Sequence, residues 1–137
     1  MTRRPFPRWM TVVLTLAGVY NLLWGSWVVL APTHSFAWSG LLQPDKPLTY
    51  PQLWQCIGMI VGVYGIGYLL AGRDPVTHWP VVLVGLLGKL FGPLGMAFGI
   101  VRGEVQPAAA VTCVFNDLTW WVPFFLILRH AARKTPA

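Results

Sequence analysis

Apolar residues run through this chain in four long blocks, at positions 9–31, 53–71, 79–101 and 108–128. The first two carry no charged side chain, the third carries only Lys89 and the fourth only Asp117. Each block approaches or exceeds the roughly 20 residues a helix needs to cross the hydrocarbon core of a bilayer. Helices are expected rather than strands, because an open strand edge in lipid leaves backbone groups unsatisfied, and the blocks lack the polar–apolar alternation of a barrel strand. The pattern predicts a single all-α domain over residues 1–137, a four-transmembrane-helix bundle with short loops.

The connections agree with that division. Residues 32–51 are rich in proline and polar side chains, and their middle, 35–42, suits a short helix lying in the interface. Residues 72–78 form a tight turn in which Gly72 is placed to end the second helix, Asp74 to cap the third, and Pro75 to occupy its first turn. Residues 102–106 make the last turn. No convincing internal repeat is present.

Composition strengthens the membrane reading. The chain is 55% hydrophobic and 10% charged, against roughly 25% charged in soluble domains, so too few charges are available to cover a water-facing surface. Eight Trp and four Tyr suit the aromatic enrichment of membrane interfaces. The net charge of +6 does not point to nucleic acid, because the basic residues cluster at block ends and form no basic–aromatic stripe. Their distribution predicts orientation instead. With the N-terminus inside, Arg3, Arg4, Arg8, Arg73, Arg129, Arg133 and Lys134 are cytoplasmic, and only Lys46 and Arg102 face outward. Both termini are therefore expected in the cytoplasm. The opening Thr2-Arg3-Arg4-Pro5-Phe6 reads as a basic anchor rather than an export signal, since the apolar run behind it is long and no clean small-x-small cleavage site follows.

Glycines at 85, 88, 92, 95 and 99 draw one stripe along the third block. Gly58, Gly62, Gly65 and Gly72 draw another on the second, and Gly18 and Gly25 flank Asn21 on the first. Small residues let membrane helices approach closely, so these stripes are expected to be the packing surfaces. A stripe left uncovered would favour a homodimer.

The candidate chemistry lies at one depth. At about 1.5 Å per residue, Asn21 lies about 18 Å, Lys89 about 15 Å and Asp117 about 16 Å along its span, with Asn116 beside the last. An ionisable group there costs at least about 2.5 to 3.5 kcal/mol on insertion scales, and such residues are commonly paired and functional. Lys89 and Asp117 are expected to pair inside the bundle. The cluster Asn21, Lys89, Asn116 and Asp117, with Gln55 near the outer end of the second block, is either an architectural ion pair with amide helpers or a polar pocket. Pro93 and Pro123 remove donors for the carbonyls of Lys89 and Thr119, which would add acceptors to that layer. Cys56 and Cys113 lie at similar depth and form a redox pair only if the second and fourth spans are neighbours. The three His residues show no metal-ligand spacing, and no metal site is expected.

Several strings are familiar together: Tyr20-Asn21-Leu22-Leu23-Trp24-Gly25, Trp54-Gln55, Val61-Gly62-Val63-Tyr64-Gly65, His78-Trp79-Pro80, Gly88-Lys89, and Asn116-Asp117-Leu118 with Trp120-Trp121. Across nearly its whole length the chain resembles small bacterial four-helix membrane proteins of the DoxX-like group. That resemblance implies a bacterial inner (plasma) membrane location. Some such proteins are labelled alkyl hydroperoxide reductases, but this chain has neither an αβ pattern nor a polar loop presenting a reactive cysteine. Others are linked to quinone or thiosulfate redox complexes, which implies a quinone as possible cofactor and a membrane redox partner. The expected function is a non-enzymatic accessory or binding subunit with a midplane site for a quinone-like or isoprenoid amphiphile or a partner helix. A proton-coupled carrier acting as an oligomer, or a quinone-linked redox enzyme using the two cysteines, are the alternatives.

Overall fold

A computed structural model describes residues 6–134 of the chain, and the basic residues Arg3 and Arg4 lie outside the described part. Four helical segments are long and apolar enough to cross a membrane: Arg8–Leu30, Pro51–Ala71, Trp79–Val101 and Pro107–Lys134. The first three are the continuous helices α1 (Arg8–Leu30), α3 (Pro51–Ala71) and α4 (Trp79–Val101), and the short helix α2 (Pro32–Trp38) follows α1. The fourth is composite. It opens with a 3-10 turn over Pro107–Ala109, runs through α5 (Ala110–Cys113), widens into a π turn at Val114–Leu118, and continues as α6 (Thr119–Lys134). Many apolar side chains on all four spans face outward. Leu30 is 83% exposed, Phe91 65% and Val101 86%, as expected of a bundle solvated by lipid rather than water.

Proline sets several of these boundaries. Pro32, Pro51 and Pro80 occupy the first turns of α2, α3 and α4, where a missing N–H loses no helical bond. The short helix α2 therefore begins at Pro32, ahead of the expected 35–42, and stops at Trp38. Gly40 then takes φ +71°, a left-handed conformation that side chains disfavour, and a β-carbon there would lie 2.9 Å from the Ala109 backbone nitrogen and 3.0 Å from the Ala108 carbonyl carbon. This close approach seats the end of α2 on the start of the fourth span.

Asp74 does not cap α4, whose N-cap is His78. It closes the preceding turn instead. Its carboxylate accepts from the backbone N–H groups of Thr77 (3.1 Å) and Val76 (3.2 Å) and from the Thr77 hydroxyl (2.8 Å). Four residues separate this cap from the helix, because Pro75 begins a turn rather than the span. These bonds, led by the Thr77 backbone N–H, hold the Asp74 carboxyl below its usual value. Their support of the turn is present at neutral pH and is lost as acid protonates the group.

The helices associate as two pairs. The most extensive contact is α1 along α3, the next is α4 along the fourth span, and lighter contacts join α3 to α4 and α1 to α6. The α1–α3 seam uses glycine on both sides. A β-carbon on Gly65 would lie 2.8 Å from the Gly18 carbonyl oxygen, one on Gly58 would lie 2.7 Å from Val28, and one on Gly25 would strike the Gly58 carbonyl. The stripe on α4 behaves differently from the expectation. Gly88 and Gly95 face open space, Gly92 looks toward Asp117, and Gly85 is covered by the Tyr68 ring. Close helix packing thus belongs to α1 and α3, while much of the α4 stripe clears a space.

The end of the bundle that carries both termini is closed by a core of Phe6, Met10, Leu14, Tyr68, Val82, Leu86, Phe124 and Ile127 with smaller neighbours. At the opposite end α2 lies over the bundle. Trp54 is buried and donates its indole N–H to Ser35 Oγ at 2.9 Å. Trp24 and Phe36 stack edge-on against Trp54 at 5.7 and 5.4 Å between ring centroids.

Candidate functional site

Between this floor and this roof lies a cavity of about 440 Å³, within the usual size range of small-molecule sites. Asn21 and Trp24 enter it from α1, Tyr64 and Tyr68 from α3, Lys89 and its flanking glycines from α4, and Asn116 and Asp117 from the π turn. Four of the five polar residues singled out in the sequence therefore meet around one space. Gln55 does not join them. Its side-chain amide donates to the Val29 carbonyl at 2.8 Å, tying α3 to α1 nearer the roof.

Lys89 is 6% exposed and has three neighbours. Its ammonium donates to the Asn116 carbonyl at 2.5 Å, lies 4.0 Å from Asp117 Oδ1, and sits 5.9 Å from the centre of the Trp120 ring. The pairing with Asp117 is thus present but loose, and the direct hydrogen bond goes to backbone. The second carboxylate oxygen, Oδ2, is directed toward Gly92. Asn116 accepts a hydrogen bond from the Tyr20 hydroxyl at 2.5 Å, which joins α1 to the fourth span at this level.

The π turn places these groups. An extra residue in a helical turn loosens carbonyls that would otherwise bond along the helix, and such turns recur at functional sites. Here Thr119 Oγ1 donates to the Val114 carbonyl at 2.8 Å and the Trp120 indole to the Phe115 carbonyl at 3.2 Å, while the Asn116 carbonyl serves Lys89. Pro93 acts as expected in freeing the Lys89 carbonyl, but that carbonyl is taken by the Trp121 indole at 2.8 Å. It ties α4 to the fourth span and adds no acceptor to the cavity.

Two polar groups have no such partner. Asn21 is 5% and Tyr68 1% exposed, both line the cavity, and among the described residues neither the Asn21 amide nor the Tyr68 hydroxyl has a hydrogen-bond partner. Both groups open onto the cavity, and the fully buried side-chain polar atoms without a partner among the described residues, Thr11 Oγ1 and His130 Nε2, lie outside it. The sequence pointed to Asn21 by its depth. Tyr68 was missed, although its i, i+4 spacing from Tyr64 on the glycine-rich helix was a usable signal.

Cys56 is exposed on α3 and Cys113 is buried at the end of α5, both as free thiols. The ring contact between the second and fourth spans, Tyr68 on Phe124 at 5.1 Å, lies in the floor, far along the helices from both cysteines. Helices α3 and α5, which carry the two thiols, make no extensive contact with one another.

No family model, no curated protein and no solved structure matches this chain.

Proposed function

We propose that the chain is a non-enzymatic binding or accessory subunit of a bacterial inner membrane, whose cavity holds the neutral, hydrogen-bonding head of a quinone-like or isoprenoid amphiphile. The observation that carries this reading is that the Asn21 amide and the Tyr68 hydroxyl, on otherwise buried residues, open onto a cavity in which the two charges, Lys89 and Asp117, cancel. A net-neutral wall disfavours a charged head, and an amide beside a hydroxyl both donates and accepts. Tyr64, Trp24 and Ile60 complete an apolar, aromatic lining suited to a flat ring. The resemblance to DoxX-like proteins points the same way. A closed floor and a roofed far end support binding over conduction, and the lack of extensive contact between α3 and α5, which carry the two free cysteines, speaks against a dithiol reaction.

The test is a titration of the full chain in nanodiscs with 2,3-dimethoxy-5-methyl-1,4-benzoquinone. Wild type is expected to bind it saturably, and Asn21→Leu is expected to bind it about tenfold more weakly, the typical effect of roughly 1.4 kcal/mol. No saturable binding by wild type would overturn the reading.

The same proposal places the termini in the cytoplasm, because the basic residues gather at that end of the bundle. A reporter active only in the cytoplasm should give signal when fused after Ala137 and none when inserted at Asp45. Signal from the Asp45 insertion would reverse the orientation.

A further inference from the structure

We infer that the cavity is loaded sideways from the bilayer, through a window between α3 and α4 whose threshold is Gly88, and that its ligand keeps an apolar tail in the lipid outside that window. The inference rests on the binding reading above and adds the route and the class of ligand, an amphiphile with one long tail rather than a water-soluble molecule.

Three observations carry it. The cavity is shut toward the termini, where Tyr68 covers Gly85 and the packed core with Leu86 and Phe124 lies beyond. It is roofed at the other end, where Trp24 leans on buried Trp54, itself covered by Phe36 and bonded to Ser35 of α2. Between α3 and α4, by contrast, two lining residues are open to the outside: Ile57 is 45% and Ile60 58% exposed. Across from them Gly88 lines the cavity, is exposed, and has no atom within 4 Å of where a β-carbon would stand. Contact between α3 and α4 is slight compared with either helix pair. At a glycine that touches nothing, close packing is not the reason for its small size. At the mouth of a polar cavity, a side chain there would stand in the doorway. The walls divide accordingly. Asn21, Lys89 and Asp117 lie within for the head, the half-exposed lining residues Ile57 and Ile60 stand at the mouth, and the 65% exposed Phe91 lies outside for the tail.

A second groove, lined by Leu23, Trp27, Val111 and Phe115 among others, lies on the other side of Trp24 and Asn116. The Tyr20–Asn116 hydrogen bond stands at this boundary and joins the two spans there, so this groove is the competing exit against which the window is tested.

The experiment uses the full chain in nanodiscs and two probes sharing one head, the tail-less benzoquinone named above and the same ring with a ten-carbon tail. Affinities are corrected for partition into empty nanodiscs. Gly88→Trp is expected to weaken the tailed probe at least tenfold while changing the tail-less probe less than threefold. Gly95→Trp, on the same helix at an equally open glycine outside the cavity, should leave both unchanged and controls for folding. A tailed probe with a diazirine at its end should label Ile57, Ile60 or Phe91. If Gly88→Trp spares the tailed probe, or weakens both probes equally, the window is wrong. Labelling of Leu23, Val111 or Phe115 would place the tail in the other groove and also overturn it. If wild type binds neither probe, the head-group reading itself fails, a result separate from these.

Discussion

Asp117→Asn alone is expected to destabilise the bundle by about 3 to 5 kcal/mol, because it leaves the buried Lys89 ammonium without its partner. Lys89→Met alone is expected to cost less, because the Asp117 carboxylate it strands is only partly buried. The double change Lys89→Met with Asp117→Leu is expected to recover most of the loss, since apolar replacement of a buried ion pair is often neutral or better. The 4.0 Å separation tempers the recovery in one way. Lys89 also donates to the Asn116 carbonyl, and that acceptor is left without its donor in any Lys89 variant, at a cost of about 1 to 3 kcal/mol. Thermal unfolding in mild detergent of the wild type, the two single variants and the double variant checks this. Additive losses would mean that the two charges do not stabilise one another.

The second large effect concerns the α1–α3 seam. Gly58→Leu and Gly25→Leu are each expected to cost about 3 kcal/mol or more, at or above the upper end of ordinary overpacking, because the new β-carbon meets Val28 in one case and a backbone carbonyl in the other. Backbone cannot swing aside as a side-chain tip can. Gly95→Leu on α4 meets nothing within 4 Å and is expected to change stability by less than about 0.5 kcal/mol, as for surface substitutions generally. Equal losses at Gly58 and Gly95 would show that α4 packs against something through its open glycines, with a second copy of the chain the natural candidate.

That contrast marks where the sequence was legible and where it was not. Four spans were readable because hydrophobic length is a property of each segment alone, and the helices end within a few residues of the apolar blocks at the first three. The meeting of Asn21, Lys89, Asn116 and Asp117 was readable because depth follows from residue count once a span is fixed. Which glycines pack was not, since a glycine that admits a neighbouring helix and one that leaves a doorway have the same spacing. Helix adjacency decides between them, and nothing local encodes it. Gln55, set near the outer end of its span by residue count, donates to the Val29 carbonyl, and only the α1–α3 crossing decides which carbonyl that is. The π turn was equally hidden, although it is what turns both Asn116 and Asp117 toward the cavity. Asp74 was recognised as a cap but assigned to the wrong turn, because the four residues 75–78 close a turn of their own before α4 begins.

Stability and binding are separable at this site, and the double variant separates them. If the cavity is architecture, removing both charges leaves a stable bundle with nothing lost. If it holds a ligand, the stable double variant keeps Asn21 and Tyr68 but has lost the two polar side chains that frame the head beside them. The most direct measurement is mass spectrometry of the small molecules that copurify with the full chain in mild detergent, compared between wild type and Lys89→Met with Asp117→Leu. A neutral amphiphile carrying a long apolar tail is predicted in the wild type near one per chain, and a clearly lower content is predicted in the folded double variant. Equal content of such a molecule in both proteins, or none in either, would contradict the account.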